Sequence, residues 1–256
     1  MRAHLLQLDL VWEDHEANFR LVERALDSAS PDPGDLVVLP ELFDTGFSFR
    51  TEKNADTQDR TLRFLLDLAD DLGVTIQGSR TIRPCDCDKA FNCATVAAPN
   101  EQLLCEYRKI HPFTFGREPE FFAAGKDVLT YQWNDLTVCP VICYDLRFPE
   151  LFRRGLKLGA QIFAFGANWP SLRQHHWRAL SIARAIENQA FVLAVNRTGS
   201  DPHLPYSGGS IAISPKGDIL GELTDQPGTL SVEIDPKALH DWRATFPAWK
   251  DMRLQP

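Results

Sequence analysis

Three side chains in the 256-residue sequence stand where chemistry is possible. Glu41 comes directly after the run LVVLP, Lys109 directly after LLCEYR, and Cys143 directly after TVCPVI. Each run reads as a β-strand, so each reactive group falls where a strand gives out. Ligands of open α/β sheets bind beyond the carboxyl ends of strands. A carboxylate, an ammonium and a thiol gathered there could carry out acyl transfer. The carboxylate takes the thiol proton, the thiolate attacks a carbonyl carbon, and the ammonium supports the developing oxyanion. One at a time, the residues have plainer explanations. Glu41 suits a helix cap or a surface acid, Lys109 a solvated loop, and Cys143 a small buried hydrophobe. Spacing alone does not bring them together.

The elements that must position them can be read from apolar periodicity. Residues 3–10, LVVLP, VTIQGS, NCATVAA, QLLCEY, 128–133 and 136–143 read as strands, as do QIFAFGA and AFVLAVN. Residues 16–28, 59–72 and about 171–189 have helical spacing, the last with Ala183, Ala185, Ile186 and Ala190 as its core face. A further helix starts at Pro149, since proline suits a first helical turn. A meander runs from SIAISPKGDIL to TLSVEI, and a polar tail over 236–256 carries Trp242, Phe246 and Trp249 as anchors. Residues 109–126 form a long connection full of aromatics and breakers, a kind of segment that is often functional. Alternating strands and helices imply layered sheets covered by helices, and no linker or internal repeat divides the chain.

Composition narrows the setting. Hydrophobic residues make up 44% of the chain, enough for a substantial core. The net charge of −8 and the lack of a long basic run argue against nucleic acid as a partner. No segment approaches the apolar length of a membrane span, and the start does not read as a signal peptide, so the cytoplasm is the expected location. Six cysteines are too sparse for a disulfide scaffold. Cys85, Cys87 and Cys93 lack a second paired set or a nearby histidine, so no metal site is expected.

The runs LPELFDTGF, YRKIHPF and VICYDLRFPELFR resemble the three catalytic blocks of the nitrilase, or carbon–nitrogen hydrolase, superfamily. The later runs ANWPSLRQHHWRALSIARAIENQ and YSGGSIAISPKGDIL resemble its further blocks, and the whole is most similar to the omega-amidase branch. The resemblance implies a single α/β domain over 1–256, a four-layer α-β-β-α sandwich with 236–256 as a C-terminal arm. It implies Glu41 as general base, Lys109 as support of the tetrahedral intermediate, Cys143 as nucleophile and the Tyr144 backbone N–H as an oxyanion donor. It also implies a second glutamate bonded to the lysine, with Glu118 the match and Glu120 the rival. No cofactor is implied. The partners would be a small-molecule amide and further copies of the chain, as a homodimer or higher homo-oligomer.

Other residues near these blocks have two readings. Asp145 and Arg147 flank the cysteine and read as a helix cap and its ion pairing. Asn168, Trp169 and Pro170 follow a strand and would reach the same sheet edge, with Trp169 a candidate for the pocket wall. His175 and His176 are adjacent on a helix and so point apart. An omega-amidase substrate is a dicarboxylic monoamide such as 2-oxoglutaramate. Arg173 or Arg197 could clamp its free carboxylate, and either could equally be a surface ion pair. A nitrile, an N-carbamoyl amine or an aliphatic amide would be the alternative substrate, and a non-catalytic scaffold the alternative role.

Overall fold

The alternating apolar runs build two six-stranded sheets packed face to face. The computed structural model describes residues 1–253; the last three residues of the expected arm lie outside the described residues. The strands in chain order are β1 (Arg2–Gln7), β2 (Leu36–Val38), β3 (Thr75–Ile82), β4 (Phe91–Ala98), β5 (Gln102–Arg108), β6 (Tyr131–Trp133), β7 (Leu136–Ile142), β8 (Ile162–Ala167), β9 (Phe191–Asn196), β10 (Thr198–Ser200), β11 (Pro205–Ser207), β12 (Ile211–Ile213), β13 (Ile219–Glu222) and β14 (Gly228–Glu233). The helices are α1 (His15–Ala29), α2 (Thr51–Asn54), α3 (Arg60–Leu72), α4 (Pro149–Lys157), α5 (Gln174–Asn188) and α6 (Pro236–Thr245).

The first sheet has the order β14-β1-β2-β3-β4-β5 and the second β13-β12-β9-β8-β7-β6. Each has a parallel centre of three strands, β1-β2-β3 in one and β7-β8-β9 in the other, with antiparallel flanks. Alternation along each strand decides what faces what. In β1, Ala3 and Leu5 join the core shared between the sheets, whereas Leu6 packs with Phe19, Val22 and Leu26 of α1 and Leu65 and Ala69 of α3. On the far side, Phe163 and Phe165 of β8 meet Phe152 of α4 and Trp177 of α5, with ring centroids 4.8 and 5.5 Å apart. The layers are therefore α-β-β-α.

Three sequence expectations change. The strand expected over 128–133 is confined to Tyr131–Trp133. The meander divides: β12 and β13 stay in the second sheet, and β14 crosses to pair antiparallel with β1 at the edge of the first. The buried stripe of α5 consists of Trp177, Ser181, Arg184, Ala185 and Asn188, while Ile186 is exposed. Hydrophobic periodicity misses that stripe because most of it is polar. In the tail, α6 is held by buried Leu239 and by Arg243, which donates to the Ala160, Asn188 and Gln189 carbonyls. No helix among the described residues is long and apolar enough to cross a membrane.

Candidate active site

Strand direction gathers the reactive ends. β2 and β3 run parallel, and two antiparallel steps through β4 return β5 to the direction of β3. Glu41 and Lys109 thus leave the first sheet at one end. β7 and β8 are parallel, so Cys143 and Asn168 leave the second sheet together. The two ends meet because β8 carries Gly166. A Cβ there would stand 2.3 Å from the Leu39 carbonyl oxygen and 2.6 Å from the Glu41 nitrogen. Only a residue without a side chain lets the Leu39–Glu41 backbone lie that close.

Cys143 opens a short 3₁₀ turn, Cys143–Arg147, and has a left-handed backbone with φ of 44°. That conformation is strained for a residue with a side chain, and the surroundings hold it in place. Asp145 is the main brace. Its fully buried carboxylate accepts from the Ile142 N–H at 3.0 Å, the Tyr107 hydroxyl at 2.7 Å and the His111 N–H at 3.0 Å, and it contacts His111 Nδ1 at 2.8 Å. One carboxylate therefore ties the cysteine turn to the segment around Lys109. Arg184 of α5 adds a second brace, donating twice to the Leu146 carbonyl. The sequence reading of Asp145 as a cap of the helix from Pro149 changes: α4 has no side-chain cap, and Asp145 closes the preceding 3₁₀ turn instead.

Lys109 is buried and bonded to two carboxylates. Its Nζ lies 2.7 Å from Glu41 Oε1 and 3.0 and 2.9 Å from the two oxygens of Glu118. Asn92 of β4 donates to Glu41 Oε1 at 2.9 Å and stands 3.5 Å from Glu118 Oε1. The long 109–126 connection folds into two 3₁₀ turns, Thr114–Gly116 and Glu118–Glu120. Just before them the Phe113 N–H donates to Glu118 Oε2 at 2.5 Å. Glu120 is exposed and pairs with Arg117, so the geometry separates the two rivals in favour of Glu118.

Charge follows from these contacts. Burial alone would raise the Glu41 carboxyl, but the Lys109 ammonium and the hydrogen bonds around it more than offset this and hold the group below the usual range. Burial would lower Lys109, yet Glu118 and Glu41 together push it upward, so it stays an ammonium. Burial raises Glu118, and the Glu41 charge adds to the rise. Burial also pushes the Cys143 thiol well up, reinforced by the Glu41 charge and by a hydrogen bond between thiol and carboxylate. The resting site thus holds a neutral thiol against an ionised base.

Glu41, Lys109 and Cys143 form the floor of a narrow pocket, with Asn168 beside them; Glu118, bonded to Lys109, does not line it. Its walls are Phe47, Phe113, Tyr144, Trp169, Leu204 and Tyr206, and Arg147 and Arg173 also line it. Of the sequence-predicted residues, Glu41, Lys109, Cys143, Glu118, Tyr144, Trp169 and Arg173 come together here. Arg197 does not line the pocket. Its buried guanidinium lies behind Tyr206, 4.6 Å from that ring, and is taken up by the Leu10, Thr198 and Ser200 carbonyls and by Asp9. Sequence reasoning did not assign the walls Phe47, Phe113, Leu204 and Tyr206 to the site, nor two polar residues. Arg147 stacks 4.8 Å over Trp169 in the wall instead of serving an ion pair, and Asn92 is hidden inside an apolar strand. A polar residue within a buried run was the one available signal for Asn92. Cys85 and Cys87 sit on a loop while Cys93 is buried in β4, and among the described residues no three such ligands converge on a metal-sized site.

Comparison with known proteins gives the family and supports the fold. The omega-amidase YafV of Escherichia coli strain K12 is 34% identical over 98% of this chain and 96% of its own. The 2-oxoglutaramate amidase of Bacillus subtilis strain 168 is 34% identical over 97% and 96%. The crystal structure of XC1258 from Xanthomonas campestris, a CN-hydrolase superfamily protein, superimposes with a TM-score of 0.93 at 35% identity, covering 99% of this chain and 97% of that one. The carbon–nitrogen hydrolase family model matches residues 2–244. That match over nearly the whole chain, with these relatives, places the chain in the carbon–nitrogen hydrolase family.

Proposed function

We propose that the protein hydrolyses a small dicarboxylic monoamide to the acid and ammonia through a thioester on Cys143. Glu41 takes the thiol proton as sulfur attacks the carbonyl carbon, so the high resting position of the thiol is overcome only as attack proceeds. The carbonyl π pair moves to oxygen, where the Lys109 ammonium and the Tyr144 N–H face the new charge. Collapse of the adduct breaks the C–N bond, and Glu41 returns its proton to the departing nitrogen. Water, deprotonated by the same carboxylate, then attacks the thioester and frees the thiol. Glu118 holds Lys109 in its charged form throughout, which one carboxylate beside a thiol would do less firmly.

The observation that carries the substrate class is the pair of arginines. Arg147 and Arg173 both line the pocket, and neither has a carboxylate within ion-pairing distance among the described residues. Their mutual repulsion lowers Arg147 further after burial has done so. Two guanidiniums without a counter-ion suit a ligand carboxylate. The names of the E. coli and B. subtilis relatives support the same class. The test is ammonia release from 2-oxoglutaramate and from a neutral amide of equal length. The charged amide should show the higher kcat/KM, and Arg147→Gln and Arg173→Gln should raise KM for it alone. Equal kcat/KM for the two amides in the parent protein would end the dicarboxylate reading.

A further inference from the structure

Two contacts hold Arg147 at the pocket wall. Its guanidinium stacks 4.8 Å over the Trp169 ring, and its Nη2 lies 3.2 Å from Nδ1 of His176, in the first turn of α5. A guanidinium only donates, so Nδ1 is the acceptor and the ring proton sits on Nε2. No other hydrogen bond holds Arg147 among the described residues, which leaves most of its N–H groups for a ligand. Trp169 is itself fixed. Its backbone N–H donates to Asn196 Oδ1 at 2.8 Å, and its indole Nε1–H donates to the Arg173 carbonyl at 2.8 Å. One tryptophan thus ties both pocket arginines into a frame, and His176 closes that frame from the helix side. The surroundings of His176 keep it an acceptor. Its ring lies 4.1 Å from that of His175, closer than their adjacency on a helix predicts. Desolvation lowers the imidazole below its ordinary value, and His175, Arg147 and Arg173 add to the fall. The N-terminal end of α5 disfavours a further positive charge there as well.

We infer that His176 is a positioning residue: by accepting an N–H of Arg147 it fixes which edge of that guanidinium faces the pocket, and so sets the preference for a substrate with a free carboxylate. This rests on the dicarboxylate reading proposed above. A planar fork already in place loses less entropy on taking up a carboxylate than a free arginine side chain does. The stack on Trp169 fixes the plane of the guanidinium, but a face contact leaves it free to turn within that plane. The hydrogen bond to Nδ1 removes this turn. His176 does not itself line the pocket, so it acts through Arg147 and not on the ligand. The distal carboxylate is remote from the reacting carbon and is bound alike in the ground and transition states. The contribution therefore falls on KM and leaves kcat nearly unchanged. An amide without that carboxylate gains nothing from it.

The test is a double-mutant cycle, read by ammonia release from 2-oxoglutaramate and from a neutral amide of equal length. His176→Ala should raise KM for the charged amide by about three- to tenfold, the size of one net hydrogen bond, with kcat within about twofold. His176→Asn, whose Oδ1 can stand where Nδ1 stands, should restore most of the lost affinity. The neutral amide should not follow either change. In an Arg147→Ala background, His176→Ala should add little, because the group it positions is gone. His176→Phe keeps a ring without an acceptor and serves if the alanine variant does not fold. A KM rise by the same factor in both backgrounds would mean that His176 acts independently of Arg147, and would overturn the inference. An unchanged KM in His176→Ala, where the parent prefers the charged amide, would overturn it too and leave the dicarboxylate reading standing. Equal kcat/KM for the two amides in the parent would overturn that reading and this role with it, so the parent alone tells the two failures apart.

Discussion

Asp44 offers a quantitative test of the turn that carries Glu41. Its carboxyl is fully buried, accepts the Thr61 hydroxyl at 2.8 Å, and has His15 Nδ1 at 3.6 Å. Burial pushes it from an ordinary 3.8 up to about 7, with the nearby Asp56 charge adding to the rise. At about 1.36 kcal/mol per pH unit, that gap corresponds to about 4 kcal/mol. The sign follows from proton binding. Above about pH 4 the unfolded chain gives up this proton, while the native protein keeps it until about pH 7. The stability this group contributes is therefore full at low pH, falls as pH rises through this window, and is flat beyond it. The side-chain amide of an Asp44→Asn variant does not titrate and can still accept from Thr61. Urea unfolding of both proteins should give nearly equal stabilities near pH 4 and a variant more stable by about 4 kcal/mol near pH 8. Other groups titrate in the same range, so the informative quantity is the difference between the two proteins at each pH. A difference that does not change with pH would refute the claim that Asp44 is held neutral.

Further tests address the reacting groups. Cys143→Ala should unfold like the parent and release no ammonia in a coupled assay, since no other group is placed to form the acyl-enzyme. Lys109→Ala should lower kcat by at least the ~10²–10³-fold typical of losing one oxyanion donor, read from steady-state rates. Glu118→Gln should impair turnover severely, because it leaves Lys109 with one carboxylate, whereas Glu120→Gln, at an exposed position paired with Arg117, should stay within about twofold on the same assay. Alkylation of Cys143 by iodoacetamide should still be accelerating above the pH, about 8.5, at which a free cysteine is half ionised.

Much of the site could be read from the chain because its residues end strands. The runs before Glu41 and Cys143 are buried on both faces, and such runs are conspicuous in sequence. What brings the ends together was not legible from periodicity. Parallel and antiparallel steps between strands decide it, and those depend on contacts far apart in the chain. Glu118 needed the fold of the 109–126 connection, which turns it inward onto Lys109 and the Phe113 N–H while Glu120 stays exposed. Arg147 reads as a capping residue because a charged residue after a strand usually caps or pairs. Its actual neighbour, Trp169, lies on another strand end. Arg197 had the right chemistry for a carboxylate but faces backbone carbonyls, and local sequence does not distinguish those two surroundings.

The close approach at Gly166 has a consequence for how the protein should fail under heat. Glu41 and Lys109 ride on one sheet, Cys143 and Asn168 on the other, and the sheets are held in register at this point by backbone contact. Neither sheet contains a working set of groups. A slip of the sheets past one another by a fraction of a side chain would break no strand pairing and would leave the secondary structure whole, yet it would part the thiol from its base. Catalysis therefore reports on the alignment of the two halves, and it is the first property that mild warming or dilute denaturant should remove.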